Sequence, residues 1–184
     1  KANQPELRTE KLERYQKEFD LPKYDAEIIT GHKKFADLFE AATELCGKPK
    51  KVSNWIMVET MRLLKENNMD PEDIRFSPVN LAKLIDLADS GSITNTVAKE
   101  VFERIFKDDI DPEKYVEEKG LKTVNDEGAL RETVQKILAE NPQSVEDYHN
   151  GKEKAIGFLV GQTMKAMKGK ANPALVNQIL KELL

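Results

Sequence analysis

The chain has 184 residues, enough for one medium domain or two small ones, and folding should remove roughly two thirds to three quarters of the unfolded chain's surface from water. Apolar residues make up 39% and charged residues 34%, with the apolar ones recurring at helical spacing, which excludes disorder over the whole chain; the longest uncharged apolar runs are far short of a membrane span. The net charge of −4 excludes nothing by itself, whereas the single cysteine, Cys46, rules out an internal disulfide and a cysteine metal cluster and fits a reducing cytoplasm.

Pro5 and Pro22 bracket RTEKLERYQKEF, where Thr9 is expected to cap a short entry helix with Leu12, Tyr15 and Phe19 on its apolar side. Gly31 breaks the chain after residues 24–30. A helix from about His32 to Leu45 follows, with Phe35, Leu38, Phe39 and Ala42 at helical spacing, and Gly47 and Pro49 end it. Cys46 reads as a small core or near-surface residue at the end of that apolar face. Residues 50–67 place Val52, Trp55, Ile56, Val58, Glu59, Met61, Leu63 and Leu64 around nearly the whole circumference of a helix, which predicts a central element with Trp55 as a core anchor.

Asp70-Pro71-Glu72-Asp73 combines an N-cap, a proline at the first helical position and acids in the first turn, and the device recurs at Ser77-Pro78, Asp111-Pro112-Glu113 and Asn172-Pro173. Leu81, Leu84, Ile85 and Ala88 form a stripe closed by Ser90-Gly91. Thr94 caps the next helix, whose Val97, Ala98, Val101, Phe102, Ile105 and Phe106 bury a broad face, and the two predict a tight helical hairpin. After Asp111 a short segment ends at Gly120, and LKTVNDEG follows without a period, so a domain boundary and a point of rotation are expected there: residues 1–119 form one bundle and residues 120–184 a second.

Beyond the boundary, Leu130, Val134, Ile137 and Leu138 define a helix that Asn141-Pro142 terminates, and Ser144 to Asp147 resembles a capping box for a short helix ending at Asn150-Gly151. The stretch GKEKAIGFLVGQTMKAMKGKANP then leads, through a turn at residues 169–171, into a last helix with Val176, Ile179, Leu180 and Leu183 facing inward. No useful β-alternation appears, so the fold class is all-α, with nine or ten short helices in two consecutive bundles.

Wound as a helix, residues 151–173 put Ile156, Leu159, Val160, Thr163, Met164 and Met167 on a buried side. The opposite side carries Lys154, Gly157, Gly161, Lys165 and Lys168, with Phe158 and Gln162 along its edge. Each internal glycine costs roughly 1 kcal/mol relative to alanine, so a bare glycine strip between lysines suggests that another backbone comes close there. From Gly151 onward six lysines face two glutamates, a local charge of +4, while the preceding 150 residues carry 23 basic and 31 acidic residues, or −8. Lys154, Lys165, Lys168 and Lys170, with the helix start at Asn172-Pro173, suit phosphates; Gly157 and Gly161 would let a sugar-phosphate strand approach, and Phe158 could stack on an unpaired base. The same glycine spacing also suits a packed helix, internal or from a partner, so both owners of the approaching backbone stay open.

Catalytic chemistry is harder to find. His32 and His149 lie far apart without metal-ligand spacing, the carboxylates sit on polar faces or in helix first turns, and the serines lie in no nucleophile elbow. The Gly-Lys pairs at 151 and 169 lack the spacer, the following Ser or Thr, and the preceding strand of a phosphate loop. No catalytic, cofactor or metal residue is assigned.

GKEKAIGFLVGQTMKAMKGKANPALVNQILKELL resembles the C-terminal signature of the B subunit of the aspartyl/glutamyl-tRNA amidotransferase, which small stand-alone proteins of the same YqeY-like tail type share. The resemblance extends to SNWIMVETMRLL, SPVNLAKLIDLADSGSITNTVAKEVFE, ENPQSVEDYHNGKEKA and the entry segment RTEKLERYQKEFDLPKYDAEIIT, nearly the whole chain. It implies a helical linker domain, 1–119, followed by a tail domain, 120–184, from a protein whose N-terminal catalytic domain is not in this sequence. That domain uses ATP and magnesium to activate the carboxylate of Glu or Asp misacylated on tRNA, and ammonia from the A subunit completes the amide.

By the same resemblance the tail helps grip the tRNA body, the partners are tRNA and the A and C subunits, neither a membrane nor DNA is involved, and the setting is the cytoplasm. The chain itself is then non-catalytic and holds no cofactor. Lys152, Lys154, Gly157, Gly161, Lys165, Lys168, Gly169, Lys170 and Asn172 match the family motif. A protein-docking module or a stand-alone tail-type protein are the alternatives. The entry segment, which a stand-alone protein would not need, and the start at Lys1 without methionine favour a fragment.

Overall fold

A computed structural model describes residues 5–184. The helices, in chain order, are α1 (Arg8–Glu18), α2 (Lys23–Gly31), α3 (Lys33–Cys46), α4 (Pro49–Asn54), α5 (Met61–Glu66), α6 (Pro78–Asp89), α7 (Asn95–Asp108), α8 (Pro112–Lys119), α9 (Glu127–Glu140), α10 (Pro142–His149), α11 (Lys154–Ala166) and α12 (Pro173–Leu183). A π-helical turn, Trp55–Thr60, joins α4 to α5, and Pro71–Asp73 makes one 3-10 turn. Taking α4 to α5 as one continuous rod leaves eleven helices among the described residues, all-α as the sequence predicts and slightly more than nine or ten. The helix without a sequence assignment is α2, whose buried Ala26, Ile29 and Thr30 make a stripe too short to stand out before Gly31. No helix among the described residues is long and apolar enough to cross a membrane.

The chain forms two compact units. The first holds the chain up to Asp89 together with Lys99–Tyr115; the second holds Ser90–Ala98 together with Val116–Leu184.

In the first unit α1 packs on α2, α2 on α3, and α3 on α6. Tyr15 is fully buried, with ring centroids 4.8 Å from Phe39 and 5.7 Å from Phe19. Its hydroxyl donates to Glu40 at 2.8 Å, and Arg14 donates to the same carboxylate at 2.6 Å while also pairing with Glu6. Burial alone would raise the Glu40 carboxyl; the hydrogen bonds from Tyr15 and Arg14 outweigh it and hold Glu40 below the ordinary carboxylate range. Trp55, expected as a core anchor, is half-buried, with its ring centroid 5.2 Å from that of the fully buried Phe102.

One expectation for this unit is corrected. Residues 50–67 are not buried all round: Val58 and Met61 lie on an exposed side of the rod. Thr60 Oγ1 donates to the Trp55 carbonyl, five residues back, at 3.0 Å, and within the turn Glu59 and Thr60 point into the fold while Val58 is 52% exposed. Glu59 is tolerated there because Arg62 pairs with it at 3.0 Å and Lys99 at 3.6 Å. The stripe of α6 packs on α3 and α4, and the start of α6 meets the end of α7 through Asp109, which accepts from Ser77 and Asn80.

In the second unit α9, α11 and α12 pack on one another, and α10 lies against α9 and α11. Their core is Leu130, Val134, Ile137, Leu159, Ala171, Val176, Ile179 and Leu180. Helix α10 begins at Pro142 rather than at the capping-box position Ser144, since proline takes the first helical position directly after α9 ends. The patternless LKTVNDEG segment is ordered by backbone pairing: Val124 N–H donates to the Lys170 carbonyl at 2.7 Å, and Asn172 N–H to the Val124 carbonyl at 3.2 Å.

Candidate nucleic-acid interface

Helix α11 shows the two sides that its sequence predicts. Leu159 and Thr163 are buried, Ile156, Val160, Met164 and Met167 pack against the core of the second unit, and the buried Thr163 hydroxyl is satisfied by the Leu159 carbonyl at 2.9 Å. Lys154, Gly157, Phe158, Gly161, Lys165 and Lys168 all face solvent. A Cβ added to Gly157 or Gly161 would meet nothing within 4 Å. The strip is therefore open within the second unit, and no helix of that unit packs against it. Phe158, 48% exposed, stands beside it rather than under a neighbour.

The lysines are not equivalent. Lys152 donates to Asp147 at 2.9 Å, and that hydrogen bond holds the Asp147 carboxyl below its ordinary range, so the pair is close to neutral. Lys170 is half-buried and reaches the Gly120 carbonyl at 3.4 Å. Lys154, Lys165 and Lys168 form no ion pair among the described residues, which leaves their charge available over about 20 Å of helix and turn. Lys154 stands at the N-terminal end of α11, where it adds to the positive end of the helix dipole instead of offsetting it.

The turn after α11 has its own constraint. Lys168 has φ +53° and Gly169 φ +72°. Among the described residues the other non-glycine positions with positive φ are Asp20, Asn68 and Asp109, types whose short polar side chains tolerate that backbone. A lysine there is strained by roughly 1 kcal/mol or more. The turn persists because Gly169 N–H donates to the Met164 carbonyl at 2.8 Å, Lys170 N–H to the Met167 carbonyl at 3.1 Å, and Thr94 Oγ1 to the Gly169 carbonyl. Any side chain at Gly169 would also collide with Thr96, whose methyl would lie 2.8 Å from an added Cβ.

Asn172 serves the fold. Its Oδ1 accepts from Ala174 N–H at 3.1 Å and Leu175 N–H at 3.4 Å, and its Nδ2 donates to Asn125 at 3.0 Å. The start of α12 is thus already capped, so its N–H groups do not form the vacant anion site suggested by the sequence. The sequence pattern missed the contribution of residues 91–94 and 123–125 to this region; Thr94 was legible only as the cap of α7, and nothing in local spacing pairs it with a carbonyl 75 residues away. His32 and His149 are both exposed.

A family model described as the GatB domain matches residues 37–184. Over its full length the chain is 71% identical to the B subunit of the aspartyl/glutamyl-tRNA(Asn/Gln) amidotransferase of Agathobacter rectalis and 46% identical to the protein of that name from Thermodesulfovibrio yellowstonii, spanning 39% of each. It is 61% identical to the corresponding protein of Lachnoclostridium phytofermentans, again with all of this chain matched and 38% of the relative covered. The chain thus spans about two fifths of the length of these relatives.

Proposed function

Because the chain belongs to the GatB domain family, we propose that it is the C-terminal part of the B subunit of an aspartyl/glutamyl-tRNA amidotransferase and that its second unit grips tRNA. The observation that carries this is the open face of α11 and its following turn: three lysines without ion-pair partners among the described residues, two glycines with free space above them, and an exposed phenylalanine. Phosphates neutralised by Lys154, Lys165 and Lys168 would release condensed counterions, and the missing side chains at Gly157 and Gly161 would bring the RNA backbone close to that of the helix. Phe158 supplies a flat apolar ring for an unpaired base.

On this reading the chain is non-catalytic. It holds misacylated Glu-tRNA(Gln) or Asp-tRNA(Asn) in the cytoplasm while ATP-dependent activation and amide transfer proceed in the remainder of the B subunit and in the A and C subunits. No group of three or more His, Cys, Asp or Glu side chains among the described residues is arranged to hold a metal ion.

The isolated chain is expected to bind a tRNA(Gln) transcript weakly, with affinity falling steeply as salt rises. Replacing Lys165 and Lys168 together by glutamate should lower the slope of log K against log salt by roughly 1.4–2, the equivalent of two phosphate contacts, with thermal unfolding nearly unchanged because both side chains are exposed and unpaired. Unaltered binding, or unfolding of the double variant, would defeat the proposal. The spacing of Gly157 and Gly161 also favours a second reading, a helix of a partner protein seated on the strip. Gly161→Leu separates the two, since loss of association with the other subunits while RNA affinity stays intact would favour the partner helix.

A further inference from the structure

Only one element outside residues 116–184 enters the second unit, the segment Ser90–Ala98, and it touches the lysine turn directly. Thr94 is only 8% exposed and its hydroxyl is fully used: Oγ1 accepts from Val97 N–H at 3.2 Å, capping α7, and donates to the Gly169 carbonyl. Beside it Thr96 stands so close to Gly169 that no side chain fits there. Thr123 completes the strap, donating from N–H to the Ser92 carbonyl at 2.9 Å and from Oγ1 to the Gly91 carbonyl at 2.8 Å, while the next residue, Val124, pairs with Lys170. Three short segments, 91–94, 123–125 and 169–172, are thereby joined edge to edge under the residue that carries the strained backbone, Lys168.

A strained residue persists where its surroundings over-determine it, and its chemical type then asks for an explanation. Glycine or asparagine at position 168 would suit the left-handed backbone better; lysine supplies only a charge, in a turn held from below by a threonine hydroxyl. We infer that Thr94 is a positioning residue for RNA binding, its hydroxyl fixing the Gly169 carbonyl so that the turn presents Lys168 to a phosphate. This rests on the tRNA-gripping function proposed above and adds to it a residue that lies outside the lysine helix and its flanking turns.

The test is a set of salt-dependent binding curves for the 184-residue chain with an unmodified tRNA(Gln) transcript, each variant measured well below its unfolding temperature. Loss of one phosphate contact lowers the slope of log K against log salt by roughly 0.7–1. Lys168→Asn, which removes the charge and suits the turn, is expected to show that decrease. Thr94→Val should show the same decrease although its own residue carries no charge, and Thr94→Ser, which keeps the hydroxyl, should restore the original slope. Thr94→Val combined with Lys168→Asn should fall no further than either alone, whereas Thr94→Val combined with Lys165→Ala should fall by about two contacts.

If Thr94→Val does not fold, Thr94→Asp takes its place, since it still caps α7 and has no proton to donate at neutral pH. A Thr94 variant that keeps the full slope while Lys168→Asn loses one contact overturns the inference and leaves the gripping function standing. Additive losses for Thr94→Val and Lys168→Asn overturn it as well. Absence of binding by the unaltered chain would remove the gripping function and this inference together.

Discussion

Glu40 joins α1 to α3 by accepting from both Tyr15 and Arg14, and its ionised form is what the fold of the first unit requires. Because its carboxyl titrates lower in the folded chain than the unfolded value of 4.5, it contributes stability that is present above that pH and lost as the pH falls through the folded value. The unfolding temperature should therefore decline as the pH drops below about 4.5, and Glu40→Gln should flatten the decline while lowering stability at neutral pH; an equally steep acid decline in the variant would show that other carboxylates dominate. Partner geometry of this kind also separates the lysines. Lys152 and Lys165 are both exposed lysines, yet one is neutralised by Asp147 and the other forms no ion pair among the described residues, a difference that depends on how Gly151, with φ +84°, turns the chain between α10 and α11.

At the scale of the element, α11 is a helix whose exposed face is weaker than it needs to be for folding alone. With nothing within 4 Å of a Cβ at Gly157 or Gly161, Gly157→Ala and Gly161→Ala should each stabilise the chain by up to about 1 kcal/mol, readable as a rise in unfolding temperature. The same substitutions should weaken tRNA binding if a sugar-phosphate backbone lies in the strip. A stabilised chain with unchanged affinity would mean that the lysines act without close backbone approach. The π turn is the comparable feature of the first unit. It holds the hydrogen bond from Thr60 Oγ1 to the Trp55 carbonyl five residues back, and it keeps Val58 outward and Glu59 inward, the sides on which a step of about 100° per residue from Val52 also puts them.

At the scale of the whole molecule, the chain does not divide into units at a single point in its sequence. Ser90–Ala98 folds with the C-terminal helices, although Lys99–Tyr115, which follows it directly, folds with the N-terminal ones. A chain cut to begin at Gly120 would keep α9 to α12 and their core but lose Thr94, Thr96 and the Gly91 and Ser92 carbonyls that Thr123 uses. We expect such a chain to fold with a lower unfolding temperature than the second unit has in the full chain, and to bind tRNA with a smaller salt slope because the Lys168 turn is no longer held. An unchanged unfolding temperature and slope would show that the strap is dispensable.

Local information was sufficient for whatever repeats along the chain. Helical spacing of apolar residues, the proline-led helix starts at Pro78, Pro112 and Pro173 and the glycines at 47, 91 and 120 fixed the all-α class, most helix ends and the two-sided character of residues 154–168, because each of these depends on neighbours within a turn or two. Tertiary structure alone decided which lysines stay unpaired, that the glycine strip is open, that Asn172 caps its own helix, and that Thr94 holds the lysine turn from 75 residues away. Those outcomes depend on contacts between residues distant in sequence, for which hydrophobic periodicity carries no signal: a polar residue on an exposed face looks the same in a sequence whether its partner is water, a carboxylate, a carbonyl or a phosphate.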